Sequence, residues 1–366
     1  MSSKLRPFTI GDQMSYEWPY DAPLEFTRRA VQASALGLPR NDVKDVGERV
    51  TRMWDGKPGS WVYEWSQLAN RYVEQERIDL AALSYGWAKF PTLANNRHAE
   101  AYRQQIDLHI KFMSTLSLRF RRRTVHVQHR GEATAVIVHE MSKPSVEQSL
   151  APVLLLSGGV DAWKEDIQNT LITLAKTSGM TVIAFDIPGT GESEVPMTPD
   201  GGAEIVRGLV AEARKIGNGR VAYFGGSMGG NFSARAGLSG DVDAAIVLGG
   251  PIQGPFERTL RTDENGGGVV GNAMGFTTQP STAALTERWQ AFTLTQLLDA
   301  GIACRMMVVN GAEDPIVPRS DTLLFQGRSG AEVLLIPNAG HCAPAELPLY
   351  LPKIVQWLKA ALDVES

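Results

Sequence analysis

The sequence predicts an α/β protein, a mainly parallel, doubly wound sheet preceded by an all-helical segment. Three observations carry that expectation. The first is length: 366 residues exceed one ordinary domain and suit a domain with a second unit or a large insertion. The second is a change of composition near residue 115. Five of the eight tryptophans fall before it, among apolar residues at helical spacing. The third is the rhythm after it, where short apolar runs alternate with amphipathic stretches, as strands alternate with crossover helices.

Composition sets the outer bounds. A hydrophobic content of 43% supports a sizeable core and argues against extended disorder. Lys plus Arg number 36 against 40 Asp plus Glu, so the net charge of −4 offers no footprint for nucleic acid. Two cysteines exclude a disulfide framework and a Cys-rich zinc module. The opening residues MSSKLRPFTIGDQMSYEWPYD hold no apolar run suited to a signal peptide. No segment approaches the ~20 apolar residues of a membrane helix. The expectation is a cytoplasmic globular protein with no metal, no cofactor, and neither nucleic acid nor membrane as partner.

Residues 1–115 are expected to form the helical unit. In SWVYEWSQLANRYVEQERIDLAALSYGWAKFP, Trp61, Trp65, Leu68, Tyr72 and Val73 recur at intervals that make one buried helix face. Pro91 ends the run, and Asn96 is expected to cap the next helix, RHAEAYRQQIDLHIKFM. Residues 116–366 carry the sheet. SLRFRRRTVHVQ and EATAVIVHEM flank a turn at His129-Arg130-Gly131 and read as a hairpin. There follow the buried strand PVLLLSGG, a helix over DAWKEDIQNTLITLAKTSG, the strand MTVIAFD and the helix GAEIVRGLVAEARKIG. The strand RVAYFGG, the helix MGGNFSARAGLSG and the strand AAIVLGG continue the series. The rhythm lapses over about 251–299, which reads as a cap inserted into the core. It resumes with CRMMVVNG, AEVLLIPN and a closing helix from Leu347 to Leu362.

The chemistry concentrates at Gly225-Gly226-Ser227-Met228-Gly229, which fits G-x-S-x-G between a predicted strand and a predicted helix. A serine on so sharp a turn projects its hydroxyl above the sheet edge, and the helix start beneath favours negative charge on a substrate oxygen. A serine needs a base, and in this arrangement the partners follow in the order Ser, acid, His. Five of the six histidines precede residue 140; His341 alone follows Ser227, in a loop after a predicted strand. Asp314, after the strand MMVV, is the preferred acid, with the adjacent Glu313 read as a solvated loop carboxylate. An oxyanion site needs two donors. The N–H of Met228 is one; the loop Gly158-Gly159-Val160-Asp161 supplies the other, from Val160 or alternatively Gly159. The segment Asp186–Ser193 is expected to shape the turn and pocket wall. Arg119, Arg121, Arg122 and Arg123 read as exposed charges of an alternating hairpin strand, and His126 and His129, three apart, as poor co-ligands.

These residues resemble the α/β-hydrolase fold over roughly residues 117–362. YEWSQLANRY, SYGWAKFP, LSGGVDAWKED, FDIPGTGE and GGSMGG extend a narrower resemblance over nearly the whole chain. It is to the 2,6-dihydroxypseudooxynicotine hydrolase group, which is itself similar to FrsA-like esterases and fungal polyketide-shortening hydrolases. The resemblance implies a helical lid that also makes a dimer contact, a triad of Ser227, Asp314 and His341, and cleavage of a carbon–carbon bond next to a ketone. The expected substrate is a small aromatic or polyketide-like molecule. Carboxylester or thioester hydrolysis is one alternative, and a non-hydrolytic acyltransferase, cyclase or lyase reaction is another.

Overall fold

Apolar and aromatic residues at three- and four-residue spacing fold the chain into helices as far as Met113. The computed structural model describes residues 16–364; residues 1–15, most of the segment read for a leader, and 365–366 lie outside the described residues. Helices α1 (Ala22–Ala35), α2 (Arg40–Gly47), α3 (Trp61–Glu74), α4 (Ile78–Lys89) and α5 (Asn96–Met113) share a core in which Phe26, Trp61, Trp65, Trp87 and Phe90 stack on one another. The expected long run from Trp61 is therefore two helices, broken where Glu76 takes φ 57°. Val73, still within α3, is 40% exposed and lies off the face that Trp61, Trp65, Leu68 and Tyr72 bury. The cap of α5 is Asn95 rather than Asn96: its side chain accepts from the amides of Arg97 and His98, a cap worth about 1 kcal/mol.

Strands begin at Arg119. β1 (Arg119–His129) and β2 (Glu132–Ser142) form the hairpin, turning at Arg130 and Gly131, so that His129 ends the strand rather than opening the turn. Then come β3 (Val153–Ser157), α6 (Gln168–Thr177), β4 (Thr181–Phe185), α7 (Pro199–Ile216), β5 (Val221–Gly226), α8 (Met228–Leu238) and β6 (Ala244–Leu248). The helix after β3 starts seven residues later than expected. DAWKEDI is held in a turn by its own charged side chains, with the Trp163 amide donating to the Asp166 carboxylate. Between β6 and β7 (Arg305–Gly311), the lapse in rhythm holds α9 (Asn265–Ala273), α10 (Thr282–Gln290) and α11 (Thr295–Ala300). The short α12 (Arg319–Thr322), β8 (Ala331–Ile336) and α13 (Leu347–Ala361) complete the chain. Strand order is β1-β2-β4-β3-β5-β6-β7-β8, antiparallel as far as β4 and parallel beyond.

Alternation along the central strands divides the core between two faces. Val153, Leu155, Val221 and Tyr223 pack with α7 and α8, while Leu154, Leu156, Ala222 and Phe224 pack with α6 and α13. The parallel strands all end at one edge, so the loops after β3, β5, β7 and β8 meet there. Among the described residues no helix is long and apolar enough to cross a membrane.

A buried ionic cluster joins the helical unit to the sheet. The Lys164 ammonium, fully buried, lies 2.6 Å from Asp186, 2.9 Å from Glu165 and 2.9 Å from Glu192. Arg122 pairs with Glu192, and Tyr102 of α5 donates to Glu165 at 3.0 Å. The segment 186–193 is thus an ionic anchor as well as a turn, and Arg122 is not a free surface charge. Arg123 likewise pairs with Glu140 and Glu212. Burial raises the Glu165 pKa above the usual carboxylate range although Lys164 opposes the shift. The neighbouring negative charges of Asp186 and Glu192 add to the rise. Lys164→Met should cost about 3–5 kcal/mol, because it strands buried carboxylates. With its folded-state value raised, Glu165 contributes most below the normal carboxylate range and costs stability as pH rises through the raised value. Urea unfolding across pH should show that decline in the wild type and a flatter profile in Glu165→Gln. Parallel profiles would place the proton elsewhere.

Candidate active site

The turn that carries Ser227 is built by local sterics. Ser227 sits between β5 and α8 at φ 53°, ψ −123°, a conformation costing of order 1–3 kcal/mol that the surrounding packing must hold. The turn closes tightly enough that a Cβ on Gly229 would lie 2.2 Å from the Gly158 carbonyl oxygen and 2.4 Å from Ser157 Oγ. The Gly229 amide donates to that same carbonyl at 3.1 Å, locking the turn to the loop after β3. Ser227 stays half-buried, with its hydroxyl beyond the sheet edge.

Three chain segments converge on that hydroxyl. His341 Nε2 is 2.8 Å from Ser227 Oγ, and His341 Nδ1 is 2.7 Å from Asp314 Oδ2. Asp314 is 7% exposed, whereas Glu313 beside it is exposed and makes no such contact. The other Asp314 oxygen accepts from the amides of Ile316 at 2.7 Å and Val317 at 3.1 Å. Burial works against the Asp314 charge, but these amides, His341 and Asn310 together hold its carboxyl below the usual range. Burial also disfavours a charged His341. Cys342 and Asp314 beside it prevail and raise its pKa above the usual histidine value.

Asn310, to which the sequence reading assigned no role, ties the acid loop to the histidine loop. Its Nδ2 donates to Asp314 Oδ2 at 2.8 Å and its Oδ1 accepts from the Cys342 amide at 3.2 Å. The only sequence signal is its place near the end of β7, immediately before the acid loop. Cys342 is partly buried beside His341, its Sγ 3.4 Å from the Leu248 carbonyl, consistent with a small filler.

The proposed oxyanion donors also lie together. A Cβ on Gly159 would come 2.7 Å from Ser227 Cβ and 3.6 Å from the Met228 amide nitrogen, so the loop after β3 faces the serine directly. The Gly159 N–H is engaged by the Ala162 carbonyl at 3.0 Å, which favours Val160 over Gly159 as second donor. Neither the Met228 nor the Val160 amide meets a backbone carbonyl among the described residues.

A cavity of about 220 Å³ opens between the helical unit, the loop after β4 and the end of α9. Thr92, Leu93, Trp163, Ser193 and Phe276 are among its walls, together with Gly189 and Gly191 of the expected pocket segment. Ser227, Asp314 and His341 do not line it. Trp163 connects it to the site, because its indole N–H donates to the Val160 carbonyl at 3.1 Å. Most N-terminal tryptophans are packing core instead: Trp61 and Trp65 are almost completely buried among helices. Tyr16 and Trp18 form a separate cluster with Val269, against which Val160 and Phe276 also pack.

One group of metal-ligand type exists among the described residues: His139, Glu165 and Glu192 lie within 4.8 Å of one another. The Lys164 ammonium already supplies the positive charge between the two carboxylates, and burial keeps His139 neutral. The donor set therefore suits an internal ion cluster better than a divalent cation.

An eight-stranded sheet of this order with a strand–serine–helix turn at its parallel edge is the α/β-hydrolase fold, and the chain is an enzyme with that fold. Residues 151–300 match the alpha/beta hydrolase fold family, a span that includes Ser227 and ends before Asp314 and His341. Over 339 residues the chain is 23% identical to the Esterase FrsA of Photobacterium profundum, covering 84% of this chain and 77% of that protein. Among solved structures it is similar to AbyA5 Wildtype, with 20% identity, TM-score 0.74, and 93% of this chain and 99% of that one covered. It is also similar to the 2,6-dihydroxy-pseudo-oxynicotine hydrolase, with 20% identity, TM-score 0.71, and 91% and 95% covered. Both span the helical unit as well as the sheet domain.

Proposed function

We propose that the protein is a cofactor-independent serine hydrolase that cleaves a carbon–carbon bond next to a ketone through an acyl-enzyme. The observation that carries this reading is the hydrogen-bond chain Asp314–His341–Ser227 beside two free backbone donors. His341 Nε2 takes the Ser227 proton as Oγ bonds to the carbonyl carbon. The N–H groups of Met228 and Val160 hold the oxyanion. The adjacent carbon–carbon bond then breaks, its electron pair leaving as an enolate or aryl-stabilised carbanion that His341 protonates on carbon. In the second half His341 deprotonates water, hydroxide attacks the acyl carbon, and Ser227 regains its proton as the acid departs.

The substrate proposed is a β-diketone or an aryl or polyketide ketone, its ring placed in the cavity walled by Trp163 and Phe276. Residues 1–115 act as lid and dimer unit, and residues 116–366 as the catalytic domain with a cap at about 251–299. Hydrolysis of a carboxylester or thioester is the second reading, favoured by the likeness to an esterase over 84% of the chain.

Two measurements separate the readings. A fluorophosphonate probe should label the wild type stoichiometrically at Ser227. No labelling would mean an unreactive serine and sink both. A screen of β-diketones against p-nitrophenyl esters, with products identified by mass, should give kcat/KM higher for the diketones. Turnover of esters alone would replace the first reading with the second, and a rearranged product without added water would replace both.

A further inference from the structure

The motif SYGWAKFP, in the helical unit, faces the loop that presents Val160. Lys89, at the end of α4, is completely buried, and its Nζ lies 2.7 Å from Asp166 Oδ2, 2.9 Å from the Asp161 carbonyl oxygen and 3.6 Å from the centre of the Trp163 ring. Each of these partners belongs to the turn after β3. Asp166 also accepts from the Trp163 amide at 2.7 Å and from Gln105 of α5 at 2.6 Å. Arg29 of α1 pairs with the Asp161 carboxylate at 2.7 Å. Gly86 adds to the fit: a Cβ there would lie 2.4 Å from Asp166 Oδ1 and 2.5 Å from Gln105 Nε2, so a larger residue would displace the side chains that hold the turn.

The result is a loop whose carbonyls are engaged from Val160 to Ala162. The Val160 carbonyl is taken by Trp163 Nε1, that of Asp161 by Lys89, and that of Ala162 by the Gly159 amide. The Trp163 indole thus holds the peptide that follows Val160, while the Val160 N–H meets no backbone carbonyl among the described residues. A buried lysine is a costly way to fill space, since an apolar side chain of similar length would also pack on Trp163. A charge that grips a backbone carbonyl and a loop carboxylate instead sets the loop's conformation.

We propose that Lys89 is a positioning residue for the Val160 oxyanion donor, so that the helical unit completes the active site as well as covering it. The inference rests on the serine-hydrolase reading and deepens it.

The test compares wild type, Lys89→Met and the double variant Lys89→Met/Asp166→Asn, which removes both charges of the ion pair and so keeps the fold accessible. Reactive sites are counted with a fluorophosphonate, and kcat is expressed per titrated site for a p-nitrophenyl ester and its thionoester. The expected result in both variants is a loss of at least about 10-fold in oxoester kcat, with KM within about 3-fold. The thionoester should lose less, because a developing thiolate gains little from N–H donors. Wild-type kcat per site in the double variant, or equal losses with the two esters, would overturn the positioning role. Failure of the underlying mechanism has a different signature: turnover that survives Ser227→Ala.

Discussion

Ser227→Ala is expected to lower kcat by at least about 10³-fold while leaving the protein folded. The alanine retains the Cβ, so the turn at φ 53° carries the same steric burden as before. What disappears is the oxygen 2.8 Å from His341 Nε2, and with it the proposed covalent intermediate. The remaining turnover would come from the donors at Met228 and Val160 and from substrate binding, which a serine deletion leaves in place. Because nucleophile and base act as one unit, Ser227→Ala/His341→Ala should be scarcely worse than either single variant. Rates on an active ester, with circular dichroism as the fold control, check this. Full turnover in Ser227→Ala alongside loss in His341→Ala would point to direct activation of water and end the acyl-enzyme mechanism.

Asp314→Asn should reduce kcat by about 10⁴-fold with little change in geometry. The amide keeps the shape of the acid but presents the wrong hydrogen-bonding pattern to His341 Nδ1 and withdraws the charge that stabilises the imidazolium. It should also move the pH profile. His341 acts as a base only when neutral, so kcat/KM rises with pH through its pKa and levels above it. In the wild type Cys342 and Asp314 lift that pKa despite burial, and the limb should lie above the ordinary histidine range. Removing the Asp314 charge leaves burial less opposed, and the limb should shift to lower pH. A limb that stayed in place while the rate fell would show that Asp314 orients the ring without setting its charge.

The fold and the location of the candidate site were legible in the sequence to different depths. Alternation of apolar runs and amphipathic helices marked the strands of the sheet closely, because buried parallel strands must be continuously apolar and their crossover helices one-sided. Ends were less legible. The helix after β3 began late because DAWKEDI uses Asp166 to cap its own turn, and α3 stopped at Glu74 because Glu76 adopts a left-handed conformation that composition does not announce. Asn95 displaced Asn96 as cap, since two adjacent asparagines carry the same propensity and only the entry angle of the chain selects one.

At the site, the sequence by itself determined which serine, which aspartate and which histidine were candidates. The G-x-S-x-G turn is a local steric requirement written in adjacent residues, and the order Ser, acid, His left one eligible histidine. Only the tertiary structure decided what surrounds them. Asn310 reaches Cys342 across 32 residues, Lys89 reaches Asp161 across 72, and the Lys164 ammonium draws the carboxylates of Asp186 and Glu192, 22 and 28 residues on, into one buried cluster with Glu165. Such contacts arise from packing the helical unit on the sheet, where a charge is tolerated only if distant partners arrive to meet it. No local spacing encodes that meeting, because the energy that holds a buried charge belongs to the assembled site and not to any segment of the chain.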